Sequence, residues 1–128
     1  MIVDTSAIVA ILTAEPERTE FEELVASNTC SVSSVSYLET SIVLLNKLGV
    51  EAVAEMDAWI ETADVTIVPF TQTQARLARN AYIAYGKGRH PAALNFGGCA
   101  SYALAADRNE PLLYKGADFA RAHIARIS

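Results

Sequence analysis

The chain has 128 residues, 52% of them hydrophobic, and a formal net charge of −5. That length fits one domain, residues 1–128, burying roughly two-thirds of the surface its unfolded chain would expose. No apolar run nears the roughly 20 residues that span a bilayer, and the first twelve residues offer an acid and no base where a secretory leader is basic. Cys30 and Cys99 lie far apart with no CxxC spacing, so reduced thiols and a cytoplasmic location are expected rather than a disulfide or zinc framework.

Met1-Ile2-Val3 reads as a first strand, Asp4 ends it, and Ala7 to Leu12 begins a helix. Pro16 and Glu17 open a second helix with Phe21, Leu24 and Val25 as its apolar stripe. Thr29 to Val32 is a second strand, and a longer helix starts at Ser33 or Ser34. Along it Val35, Leu38, Ile42, Leu45 and Leu48 follow steps of three and four until Gly49 ends it. A helix over 50–62 carries Val53, Met56 and Ile60 inward, and Val65 to Val68 is a β-branched strand closed by Pro69. Thr71 or Thr73 caps the next helix, with Ala75, Ala78, Tyr82 and Tyr85 on one face. Two glycines and a proline make 86–91 a loop. A small-residue helix over about 98–107, a last strand over 112–114 and a final short helix after Asp118 complete the chain. Strands alternate with helices, so the class is α/β with a largely parallel sheet covered on both faces.

Most acids fall on exposed helix faces, but three do not. Asp4 ends the first strand, Glu39 stands between Leu38 and Ile42, and Asp118 follows the last strand. In a parallel sheet the strand carboxyl ends share one edge, where open α/β folds hold ligands. Carboxylates gathered there repel one another and favour protonation or a bound cation. Oxygen donors suit Mg²⁺ or Mn²⁺, and such an ion activates water for attack on a phosphodiester. Each acid also has a plainer reading as a helix cap: Asp4 for the first helix, Glu39 in an S-x-x-E box with Ser36, Asp118 for the last. The charge is uneven: residues 1–64 hold twelve acids and two bases, residues 65–128 three acids and eight bases. The loop Lys87-Gly88-Arg89-His90 fits both an RNA-steering element and an ordinary surface turn. Neither a G-x-S-x-G elbow nor a phosphate-cradling glycine loop is present.

Four stretches together resemble PIN-domain ribonucleases, closely the VapC-type toxins of bacterial toxin–antitoxin pairs. They are Ile2-Val3-Asp4-Thr5-Ser6-Ala7, Val32 to Thr40, Tyr85 to Ala92 with Leu94-Asn95-Phe96-Gly97, and Pro111 to Phe119. The resemblance covers essentially the whole chain in the right order. It implies a PIN-like three-layer α/β/α sandwich with a central, mostly parallel sheet. It further implies a Mg²⁺- or Mn²⁺-dependent endoribonuclease that stops growth by cutting RNA, a homodimer, and neutralisation by a cognate VapB-type antitoxin. On this resemblance Asp4, Glu39 and Asp118 are catalytic metal-site carboxylates, Thr5 and Ser6 support the first of them, and Lys87 and Arg89 engage the RNA backbone.

One position departs from that family. Where it reads Phe-Gly-Asp-Cys, this chain reads Phe96-Gly97-Gly98-Cys99. The missing aspartate is a metal ligand in the family, so the resemblance implies an intact fold with impaired cleavage. An inactivated variant and a natural copy that binds antitoxin or RNA without cutting both fit. Two other acid-bearing folds fit less well. A receiver-type phosphoacceptor needs an aspartate at the end of a central strand, and 65–69 offers none. A haloacid-dehalogenase-like phosphotransferase needs a second aspartate two residues after Asp4, where Ser6 stands.

Overall fold

The computed structural model describes residues 1–116. Its elements run β1 (Ile2–Val3), α1 (Thr5–Leu12), α2 (Arg18–Ala26), β2 (Ser31–Ser33), α3 (Ser34–Leu48), α4 (Val50–Thr62), β3 (Thr66–Val68), α5 (Gln72–Tyr85), α6 (Phe96–Arg108) and β4 (Leu112–Leu113). The four strands form one sheet in the order β3-β2-β1-β4, every pairing parallel. Asp118 and the helix expected after it lie outside the described residues.

Successive strand residues point to opposite faces, and here each face has its own core. Val3, Val32 and Leu113 join Ile8, Ile11, Phe21, Leu44, Met56 and Ile60 on one side. Ile2, Val68 and Leu112 join Ala81, Leu94, Cys99 and Leu104 on the other. Helices α1 to α4 therefore make one outer layer and α5 with α6 the second, which is the α/β/α sandwich expected. Ser31 and Ser33 turn their small side chains to the α6 side, where Arg108 donates to Ser31 Oγ at 3.4 Å.

Two helices bury a different face from the one their apolar spacing suggests. On α3 the leucine-rich stripe is outside: Leu38 is 61% exposed, and Ile42, Leu45 and Leu48 are exposed as well. The inward face is Ser36, Thr40 and Leu44. It leans on the start of α1 and on α6, whose small and hydroxyl-bearing residues take hydroxyls better than leucines. On α5 Ala75 and Tyr82 are exposed, and Gln74 and Ala81 are the buried pair.

The helix ends follow capping chemistry. Ser33 Oγ accepts from Val35 N–H at 3.2 Å, which settles the start of α3 at Ser34 and leaves Ser36 inside the helix. Thr71, not Thr73, caps α5. Asn95 Oδ1 accepts from Gly98 N–H at 2.7 Å and starts α6 two residues earlier than its alanine content indicates. Gly49, at φ +96°, allows α3 to stop and α4 to begin at a single residue.

Candidate acidic active site

β1 is an inner strand, and its carboxyl end points Asp4 into the gap between α1, α3 and α6. Asp4 is only 6% exposed. Its backbone N–H donates to Leu113 O at 3.0 Å, tying it to β4. Its carboxylate accepts three hydrogen bonds. Ser6 gives two to Oδ2, from N–H at 3.0 Å and from Oγ at 2.7 Å. Ser101 Oγ gives the third, to Oδ1 at 2.5 Å. Asp4 is thus the N-cap of α1, the plainer reading its sequence position allows, and also a wall of a pocket.

That pocket has a volume of ≈ 220 Å³ and is lined by Asp4, Thr5, Ser6, Glu39, Val43, Leu94, Asn95, Gly98 and Lys115. Two acids separated by 35 residues in the chain therefore meet in one recess. Glu39 is half-buried in α3. Burial pushes its carboxyl above the ordinary carboxylate value; a hydrogen bond with Thr5 pulls it back, and the nearby charge of Asp4 adds to the rise. Gly97 presses so closely on Glu39 that a Cβ built there would fall among the carboxylate atoms. The first residues of α6 thus form the wall opposite Glu39, and the helix N-terminus faces the acids.

The hydroxyls around the acids divide their work. Ser6 serves Asp4 and also accepts from Lys115 N–H at 3.0 Å, which pins the turn after β4 to the site. Thr5 turns toward α3: its Oγ1 lies 3.2 Å from Ser36 O and accepts from Thr40 Oγ1 at 3.0 Å, and its single proton serves either Ser36 O or the Glu39 carboxylate at one time. Ser36, Thr40 and Ser101 complete this shell; the sequence marks only Ser36, and as a helix cap for Glu39, while Thr40 and Ser101 carry no signal of this role. A serine inside a helix of alanines and glycines looks like a packing choice; only the fold reveals that Ser101 reaches a residue 97 positions away.

Lys115 borders the pocket, but its Nζ pairs with Glu15 at 2.5 Å and Glu17 at 3.5 Å. Lys87 and Arg89 are exposed and do not line the acidic pocket. Lys87 instead borders a larger apolar groove of ≈ 690 Å³ between α5 and α6, next to Arg79, Tyr82 and Phe96. Asn95 lines both depressions, so they adjoin.

As a donor set, the described part of the pocket supplies two carboxylates and several hydroxyls. Among the described residues no three acids, histidines or cysteines converge. Two carboxylates on one small recess suit a hard divalent cation that keeps much of its own water. Position 98, where α6 faces them, contributes no side chain.

A profile of the PIN domain matches residues 1–124. The chain is 46% identical to a Ribonuclease VapC of Mycolicibacterium smegmatis over 128 residues, covering 99% of both chains. It is 45% identical to Ribonuclease VapC30 of Mycobacterium tuberculosis over 129 residues, covering 100% of this chain and 98% of that one. Among solved structures, Mycobacterium tuberculosis VapC20, a Sarcin-Ricin loop cleaving toxin, superposes with a TM-score of 0.79. That likeness covers 98% of this chain and 97% of the other at 19% identity, and it speaks for the fold.

Proposed function

The chain belongs to the PIN-domain family, among the VapC ribonucleases, and on that premise we propose that it is an endoribonuclease toxin whose cleavage site is the Asp4–Glu39 pocket. The observation that carries the reading is the convergence of these two acids, from β1 and α3, in one recess beneath the N-terminus of α6. In this reading Asp4 and Glu39 hold Mg²⁺ or Mn²⁺, with Asp118 as a third carboxylate. When bound, such a cation supplies activated water and neutralises charge on the phosphate.

The chain's own residues prepare the site. Ser6 and Ser101 fix both oxygens of Asp4, so the carboxylate presents its remaining lone pairs in one orientation. The raised Glu39 carboxyl ionises less readily than an ordinary glutamate, and a cation held beside it would favour the charged form. Lys87 and Arg89, exposed on the loop after α5, meet the phosphates of an RNA strand approaching from the α5–α6 side. Thr5, facing α3, supports Glu39 of the acid pair. The partners are a VapB-type antitoxin and a second copy of the chain, for which the exposed apolar residues of α3 and Phe96, 80% exposed, supply surfaces. No described helix is long and apolar enough to cross a membrane.

Gly98 leaves this site short of an acid, and cleavage by the chain is accordingly impaired. The alternative is a module that binds antitoxin or RNA without cutting, and it too follows from the empty position 98. Gly98→Asp separates the two. It should raise metal-dependent cleavage of RNA by more than about 100-fold, since loss of supporting groups alone costs metal sites about 10–100-fold. An assay of total cellular RNA with Mg²⁺ or Mn²⁺ in which both proteins stay inert would leave only the silent module.

A further inference from the structure

We infer that Ser36 and Ser101 form a one-way hydroxyl relay that positions Asp4 for a divalent cation, an inference that rests on the metal-site reading above. Ser101 has one hydroxyl proton, and at 2.5 Å it goes to Asp4 Oδ1, because an ionised carboxylate has none to give. The 2.9 Å contact between Ser36 Oγ and Ser101 Oγ must then run from Ser36 to Ser101. The direction of every proton follows: Ser36 to Ser101 to Asp4. Hydrogen bonds aligned head to tail in a buried setting strengthen one another.

The relay is costly to place where it stands. Ser36 and Ser101 are both fully buried, and a buried hydroxyl is tolerated only when bonded. Alanine at 101 would fill nearly the same space among Gly97, Gly98, Ala100 and Ala103. The hydroxyl therefore adds direction, not volume. It also couples the two acids mechanically. Ser36 lies one helical turn before Glu39 on α3, and Ser101 lies on α6, the helix whose Gly97 bears on Glu39. A shift of α3 would move Glu39 and break the Ser36–Ser101 contact together, and a shift of α6 would loosen both Asp4 and the wall against Glu39. In a pocket lacking an acid at 98, holding Asp4 in one rotamer lowers the entropy lost when a cation binds. Ser36 and Ser101 are positioning residues, acting through Asp4.

Titration calorimetry with Mn²⁺ alone tests this, on the chain as it stands and in the Gly98→Asp background. Ser101→Ala should weaken Mn²⁺ binding about 10–100-fold, as loss of a group supporting a metal ligand does. Ser101→Cys fills the space with a poor donor and should behave like Ser101→Ala. Ser36→Ala should weaken binding by a smaller factor, and the double variant should match Ser101→Ala alone, since Ser36 works only through Ser101. Urea midpoints measured in parallel give the structural contribution. Lower midpoints with unchanged Mn²⁺ affinity would overturn the relay while leaving the metal site standing. Additive losses of affinity in the double variant would overturn the relay, because Ser36 would then act independently of Ser101. A flat Mn²⁺ titration in both backgrounds would overturn the relay and the metal-site reading at once.

Discussion

Gly97 stands against the Glu39 carboxylate with no room for a side chain of its own. A methyl group there would overlap the Glu39 carboxylate, so Gly97→Ala must displace Glu39 or lift the first turn of α6. Overpacking of this kind costs roughly 1–3 kcal/mol. In the Gly98→Asp background it should reduce RNA cleavage at least tenfold, since about 1.4 kcal/mol of lost transition-state stabilisation is already a factor of ten. A urea melt alongside the cleavage assay measures both effects. Two places further on, burial pushes the Cys99 thiol from its ordinary 9.0 to about 11. The folded chain keeps that proton where the unfolded chain loses it, so this residue's contribution to stability falls as pH rises from about 9 to about 11. Iodoacetamide at pH 8 should accordingly label native Cys99 at least about tenfold more slowly than the urea-unfolded chain, measured by mass spectrometry. At this scale the sequence exposes the acids better than their company. Asp4 stands out because a carboxylate directly after an apolar strand is rarely decorative, and Glu39 because it interrupts leucines. Ser101 and Thr40 carry no such mark, and Ser36 is marked only as a helix cap: their hydroxyls gain this meaning only once three helices bring them to one point.

Helix α3 shows how spacing can predict an element and still misplace its interior. The steps of three and four from Val35 to Leu48 identify a helix, and its bounds at Ser33 and Gly49 are readable from an N-cap and a glycine stop. The stripe itself faces outward because α3 buries its other side against the N-terminal turn of α1 and against α6, where room exists for Ser36 and Thr40. Periodicity records that one face is apolar; it does not say what that face meets. Leu48→Ser and Leu45→Ser should therefore change stability by no more than about 0.5 kcal/mol, the range of exposed positions. Leu44→Ala, one residue before Leu45 but fully buried, should cost about 2–5 kcal/mol. Equal losses at positions 44 and 45 in urea denaturation would place the stripe inside after all. Helix α6 begins two residues before its small-residue run for a related reason. Phe96 and Gly97 look like loop residues, yet Asn95 caps the helix before them and Phe96 stands 80% exposed on its first turn.

Across the whole molecule, the sandwich separates the charges that the sequence only divides into halves. The acid-rich residues 1–64 build α1 to α4 on one face of the sheet, and Arg76, Arg79, Lys87 and Arg89 lie on or just after α5 on the other. The α/β class and the parallel sheet were legible from the alternation of strands and helices, and the family from four ordered stretches. Strand order was not, because two- and three-residue strands carry no register of their own. Parallel pairing joins β1 to β4 through Ile2–Leu112 and Val3–Leu113, partners 110 residues apart. This pairing sets a timetable. The backbone of Asp4 must wait for Leu113, 109 residues further along the chain, before its hydrogen bond can form. Long-range parallel contacts are slow to close, because the loop entropy is lost before the contact rewards it. Asp4, at the carboxyl end of an inner strand, is therefore fixed only once that distant contact has closed, and the recess it shares with Glu39 is among the last parts of the fold to be completed.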